Sequence, residues 1–121
     1  MTFESQVEIH DDHVHCHIKG KISSAEIISI TQDIVNKCKQ HNRSKVLVDL
    51  RKGGSDTSIA ETFFMGSEEL PSLTKGVLRK AAIIENEIND NMIFFETVAL
   101  NRGHNVKFFT DLEKAKDWIK D

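Results

Sequence analysis

Four histidines stand out among the side chains able to do chemistry: His10, then His13, His15 and His17 at alternate positions. Alternate residues of an extended strand point to one side, so three imidazoles at this spacing can face one metal ion, with His10 across a turn. Val14, Cys16 and Ile18 interleave with them, which equally describes an edge hairpin with one apolar side and one solvent side. No carboxylate or cysteine completes a recognised ligand spacing, and there is neither a CxxC pair nor a zinc-finger pattern. The expectation is a protein without a cofactor, in which Cys16 and Cys38 are small buried hydrophobes of a reducing compartment.

A second group lies in Arg51-Lys52-Gly53-Gly54-Ser55-Asp56-Thr57, read as a flexible polar loop between a central strand and a helix opening at Ser58. Backbone amides and the dipole at a helix start favour anions, and open sheets bind ligands at the carboxyl ends of their strands. Arg51, Gly53, Gly54, Ser55, Thr57 and Ser58 are therefore candidates for contact with a partner or ligand, the hydroxyls also for phosphorylation. The segment lacks the GxxxxGK[ST] of a phosphate-binding loop.

The third candidate is apolar. Met92, Phe94, Phe95, Val98 and Ala99 form a broad arc on a predicted helix, and Ile93 and Leu100 form a further facet. Covering this surplus calls for burial inside the monomer, a homodimer interface, or a cleft for a small hydrophobic ligand shared with Phe63 and Phe64. Asp49, Glu85, Glu87 and Asp111 gather near one sheet edge, where solvated loops and helix-start charges account for them. No GxSxG elbow, HExxH pair or dinucleotide-binding glycine pattern accompanies them, so no catalytic residue is assigned and a non-enzymatic role is expected.

The elements that must position these residues follow from periodicity. Phe3, Val7 and Ile9 share one parity, and Asp11-Asp12 turns the chain into the histidine-bearing strand, which Gly20 interrupts. Ser23 and Glu26 make a capping box for a helix whose stripe is Ile27, Ile30, Ile34, Val35 and Cys38 and which fades near His41-Asn42. Residues 45–50 form an apolar central strand. Ser58 and Glu61 cap the next helix, which Pro71 is expected to end. A strand within residues 77–84, a helix over 89–102 stopped by Gly103, a strand over 105–110 and a helix capped by Thr110 with Glu113 complete the chain. The order ββαβαβαβα makes an α/β domain with a mixed, mostly parallel sheet of about five strands, an antiparallel N-terminal hairpin and about four helices.

The 121 residues suit one domain spanning 1–121. A formal net charge of −3 gives no general attraction for nucleic acid. No stretch approaches the roughly 20 apolar residues of a membrane helix and no export signal opens the chain, so a cytoplasmic protein is expected.

Val46-Leu-Val-Asp-Leu-Arg51, Ala81-Ala82-Ile83-Ile84, Ala99-Leu-Asn-Arg-Gly103 and Val106-Lys-Phe-Phe-Thr-Asp-Leu-Glu-Lys-Ala115, in that order, make the sequence resemble the bacterial SpoIIAA-like branch of the STAS superfamily, with the Sec14-type lipid-binding fold as a more distant relative. The resemblance implies a partner-switching module that docks on an anti-sigma kinase and carries a phosphorylatable serine near the start of the helix after the central strand. Residues 51–58 correspond to that region, although they lack the family's Asp-Ser-(Ser/Thr)-Gly signature. The expected partners are thus a protein or a second copy of the chain, with a small hydrophobic or anionic ligand as the alternative.

Overall fold

The computed structural model describes residues 3–55, 68 and 70–120. Five strands, β1 (Glu4–Ile9), β2 (Val14–Ile22), β3 (Lys45–Ser55), β4 (Lys80–Ile84) and β5 (Val106–Phe109), lie in sequential order in one sheet. The β1–β2 hairpin is antiparallel and every later pairing is parallel. Four helices are described: α1 (Ser24–His41), α2 (Leu70–Thr74), α3 (Asp90–Asn101) and α4 (Leu112–Ile119). The α/β architecture expected from the sequence is the one observed.

Sequential strand order has a consequence for the faces. Right-handed crossovers that advance in one direction place every connecting helix on the same side of the sheet. On that side Val14, Cys16, Ile18, Val46 and Leu50 pack with Ile30, Ile34 and Cys38 of α1. Only α4 follows the last strand, so it returns over the opposite face, where Ala115 and Ile119 pack on Leu47, Ala82 and Ile84. One helix resting on β3, β4 and β5 leaves the β1–β2 end of that face to be covered by its own side chains. Those side chains are the histidines.

Both cysteines are fully buried and free, and burial pushes each thiol up to about 11, in keeping with a purely apolar role. The Ser23 box is formed in both directions, with Glu26 N–H donating to Ser23 Oγ at 3.3 Å and Ser23 N–H donating to Glu26 Oε1 at 2.9 Å. Helix α1 ends at Asn42 in the left-handed conformation, and Gly103 follows α3 with φ 83°. Among the described residues no helix is long and apolar enough to cross a membrane.

Four local expectations are corrected. Gly20 bends β2 rather than ending it: φ is +97° and the β2–β3 register shifts between His17 and Lys19, but pairing resumes to Ile22. Residues 51–55, expected as a loop, continue β3 beside that extension. Pro71 lies inside α2, because proline lacks a donor but keeps its acceptor, and Lys75 N–H bonds to its carbonyl at 3.0 Å. Helix α4 is capped by Asp111, not Thr110; Asp111 Oδ1 accepts from Glu113 N–H at 2.9 Å and Lys114 N–H at 3.5 Å. Asp111→Ala should therefore cost about 1 kcal/mol in urea unfolding and Thr110→Ala a few tenths at most; equal losses would return the cap to Thr110.

Candidate functional site

The carboxyl ends of β3 and β4 meet at a charged rim. Arg51 grips Asp49 with two bonds, Nε to Oδ1 at 3.0 Å and Nη2 to Oδ2 at 2.7 Å, and its backbone N–H adds a third to Oδ1 at 3.0 Å. Burial works against an ionised Asp49, but these bonds outweigh it and hold the carboxyl below its ordinary value. The guanidinium is thus already matched, which removes most of its pull on a free anion. Asn86 Nδ2 donates to the Arg51 carbonyl at 2.7 Å, tying the exit of β4 to the end of β3.

Beyond Arg51, Gly53 lies opposite Gly20, Gly54 opposite Lys21 and Ser55 opposite Ile22. The glycine at 53 answers a close approach of two backbones: a Cβ there would stand 2.0 Å from the Gly20 carbonyl oxygen. Thr57, Ser58, Phe63 and Phe64 fall outside the described residues.

Glu85 departs from the solvated reading given to the acidic edge. It is 6% exposed, and burial followed by the nearby charge of Asp49 pushes its carboxyl up to about 7. Parity explains the placement, since Glu85 continues the Ala81–Ile83 row that faces α1 and α3. Of the other acids, Asp111 caps α4 and Glu87 is exposed, as expected of a helix-start charge and a solvated loop.

Between the sheet, α1, α2 and α3 lie two adjoining apolar cavities of about 100 and 130 Å³, both bordered by Ile34, Val48, Leu70, Ile83 and Phe95. Glu85 and Asn91 line the larger one, and Asn91 Oδ1 is buried without a hydrogen-bond partner among the described residues. Phe95 reaches Phe108 edge-on, with centroids 6.1 Å apart. Sequence reasoning placed Phe95 here but missed Asn91, whose polar type at a helix start looks like a cap; that role belongs to Asn89, which accepts from Met92 N–H at 2.9 Å.

The apolar surplus of α3 divides in two. Val98 and Ala99 are buried, whereas Ile93 and Leu100 are 51% and 60% exposed and Phe94, grouped with the inner arc by the sequence, is 37% exposed. Thr97, between Ile93 and Leu100 on the outer stripe, is exposed and donates its hydroxyl to the Ile93 carbonyl at 3.0 Å.

The histidines form a ladder. His13 and His15 are buried, not on the solvent side of an edge strand, because β2 lies between β1 and β3 and the rings cover one another. His15 and His17 stack at 4.2 Å, His10 and His13 at 4.8 Å. Asp12 Oδ1 holds His13 Nδ1 at 2.6 Å, and Glu8 Oε1 lies 3.1 Å from His10 Nε2 and 3.8 Å from His17 Nε2. Burial, then the neighbouring His17, His13 and His10, pulls His15 down to about 4, so its ring is neutral at pH 7.

A five-stranded mixed sheet with three of the described helices on one face and one on the other defines the class of fold. The SpoIIAA-like family model matches residues 13–120, and the chain belongs to that family. Solved structures agree. An anti-sigma factor antagonist from Mycobacterium paratuberculosis matches with a TM-score of 0.60 and 13% identity over 99% of this chain and 96% of that one. The unphosphorylated anti-sigma factor antagonist SpoIIAA matches at 0.58 and 11% over 97% and 98%. An uncharacterized protein with a SpoIIAA-like fold from Shewanella loihica matches at 0.56 and 16% over 98% and 93%. No curated protein matches the chain in sequence.

Proposed function

We propose that this protein is a non-enzymatic regulatory module that docks on a protein partner through the outer stripe of α3 and the adjoining rim at the end of β3. The carrying observation is the exposure of Ile93 and Leu100, with Ile88 just before the helix at 40%. Large aliphatic side chains concentrated on one exposed helix stripe gain free energy when a partner removes them from water, on the order of 25 cal/mol per Å². The likeness to two anti-sigma factor antagonists along nearly their full length supports a partner-binding role. Ser55, Thr57 and Ser58 follow the rim in sequence, and a phosphate of about −2 charge on one of them would weaken docking of an acidic partner while favouring a basic one.

The test is a photo-crosslinking residue placed at 93 or 100, with one at position 4 on β1 as control, in the protein expressed in its own cells. One polypeptide should cross-link from both α3 positions, not from position 4, and should be lost at either α3 position when the other carries Ile93→Asp or Leu100→Asp. A cross-linked species of twice the chain's own mass identifies a second copy as the partner. No cross-link from either α3 position overturns the reading.

The cavities favour a second reading, a sensor of a small apolar molecule with a polar end directed at Glu85 and Asn91. An apolar cavity of about 150 Å³ holds benzene, so these volumes suit one ring or a short chain and are too small for a whole lipid. A small-mass adduct in native mass spectrometry, lost in Phe95→Trp, is its expected signature.

A further inference from the structure

We infer that the histidine ladder is a binding site for a divalent transition-metal ion of the zinc class, held by His10, His13 and His15. The site is independent of the docking surface, because it lies on the opposite face of the sheet at the β1–β2 end.

Three observations carry it. The ligating atoms of these three residues all lie within 4.8 Å of one another, which among the described residues happens only here and in the adjoining set Glu8, His15 and His17. Zinc with Zn–N bonds of about 2.0–2.1 Å in tetrahedral geometry needs nitrogens roughly 3.3 Å apart, so the rings must close by up to about 1.5 Å. His10 can supply that movement, being 40% exposed at the end of the hairpin, and its side is also the path by which an ion enters from water.

The second observation is the unmet bonding of the buried rings. Among the described residues, His13 Nε2 and both nitrogens of His15 have no hydrogen-bond partner, although both residues are at least nine-tenths buried. Buried polar atoms are normally satisfied, and a buried imidazole nitrogen without a donor offers its lone pair inward.

The third is the Asp12 contact. A carboxylate on His13 Nδ1 keeps the proton on that nitrogen and leaves Nε2 as the acceptor, the outer-shell arrangement that fixes tautomer and ring orientation in histidine–metal centres. Imidazole donors suit Zn²⁺, Cu²⁺ and Ni²⁺ rather than Mg²⁺ or Ca²⁺. Glu8 and Asp12 supply negative charge beside the rings. Lys45, close enough to Asp12 to affect it, directs its ammonium instead to the Lys120 carbonyl at 3.0 Å.

The experiment uses untagged full chain, with Zn²⁺ followed by calorimetry and elemental analysis, and Cu²⁺ by electron paramagnetic resonance for nitrogen hyperfine structure. One ion per chain is expected, with coupling to more than one imidazole nitrogen. His15→Ala should abolish binding. His10→Ala, at an exposed position that leaves circular dichroism unchanged, should weaken it at least tenfold. Asp12→Asn should weaken it tenfold or more by releasing His13, and His17→Ala should leave it nearly unchanged. Absence of a stoichiometric ion, or affinity indifferent to His10→Ala and His15→Ala, overturns the proposal. So does sensitivity confined to His15, His17 and Glu8, which would place the ion in the adjoining set.

Discussion

Gly53→Ala is expected to lower stability by about 3 kcal/mol, at the upper end of what overpacking costs, and by roughly 10 °C in melting temperature for a domain of this size. The new methyl group would meet the Gly20 backbone on three atoms, oxygen at 2.0 Å, carbonyl carbon at 2.7 Å and nitrogen at 2.8 Å. Side chains relieve such contacts by changing rotamer; a backbone cannot. Relief must come from parting β2 and β3 beyond the His17–Asp49 pair, where the register is already shifted. Amide exchange should accordingly rise at residues 19–22 and 52–55 while residues 45–48 stay protected. Gly76→Ala is the control: φ is +78° but nothing lies within 4 Å of a Cβ, so its cost is the left-handed conformation alone, about 1 kcal/mol. Equal melting temperatures for Gly53→Ala and the parent protein would mean that the two backbones do not approach this closely. Because the same strand ends carry Arg51 and lead to Ser55, the variant should also weaken partner capture at the rim more than its stability loss explains.

The order of strands and helices along the chain, the helix stripes and the first cap were legible because each is a local signal repeated over many residues. The 3.6 period of α1 and the apolar run of β3 admit few other folds. What escaped was set by neighbours distant in sequence. Gly20 and Gly53, read separately, are a strand breaker and part of a flexible loop; only their pairing across β2 and β3 shows that each permits the other. Glu85 looked like an exit-loop acid, and its burial depends on α3 and Phe108 closing over it. The histidine face looked solvated because the sequence identifies a hairpin but not which of its strands joins the rest of the sheet. The outward stripe of α3 was visible as surplus apolarity, whereas the division between Phe95 and Phe94 required the helix to be docked. The residues proposed to carry function thus sit where tertiary contact overrides local pattern, the places at which a sequence is expected to conflict with simple rules.

Glu85 yields the second large effect, and its sign is opposite to that of most native carboxylates. Its carboxyl is raised from the ordinary 4.5 to about 7, first by burial and then by Asp49. The folded protein therefore holds this proton more tightly than the unfolded chain does. Below about pH 4.5 both states are protonated and the group exerts no penalty; as pH rises from 4.5 to 7 the unfolded chain ionises first and stability falls, and above 7 the full loss persists. At about 1.4 kcal/mol per pH interval the loss is on the order of 3 kcal/mol. Glu85→Gln removes the charge but keeps a polar group to bury, so a gain of about 2 kcal/mol is expected at pH 8, shrinking toward zero near pH 4.5. Asp12 and Asp49 pull the other way, since their lowered values stabilise the fold as pH rises. The informative quantity is hence the difference between variant and parent in urea unfolding at several pH values, in which those shared contributions cancel. A difference that stays flat from pH 5 to 8 would show that Glu85 remains solvated and would remove the polar end of the cavity with it.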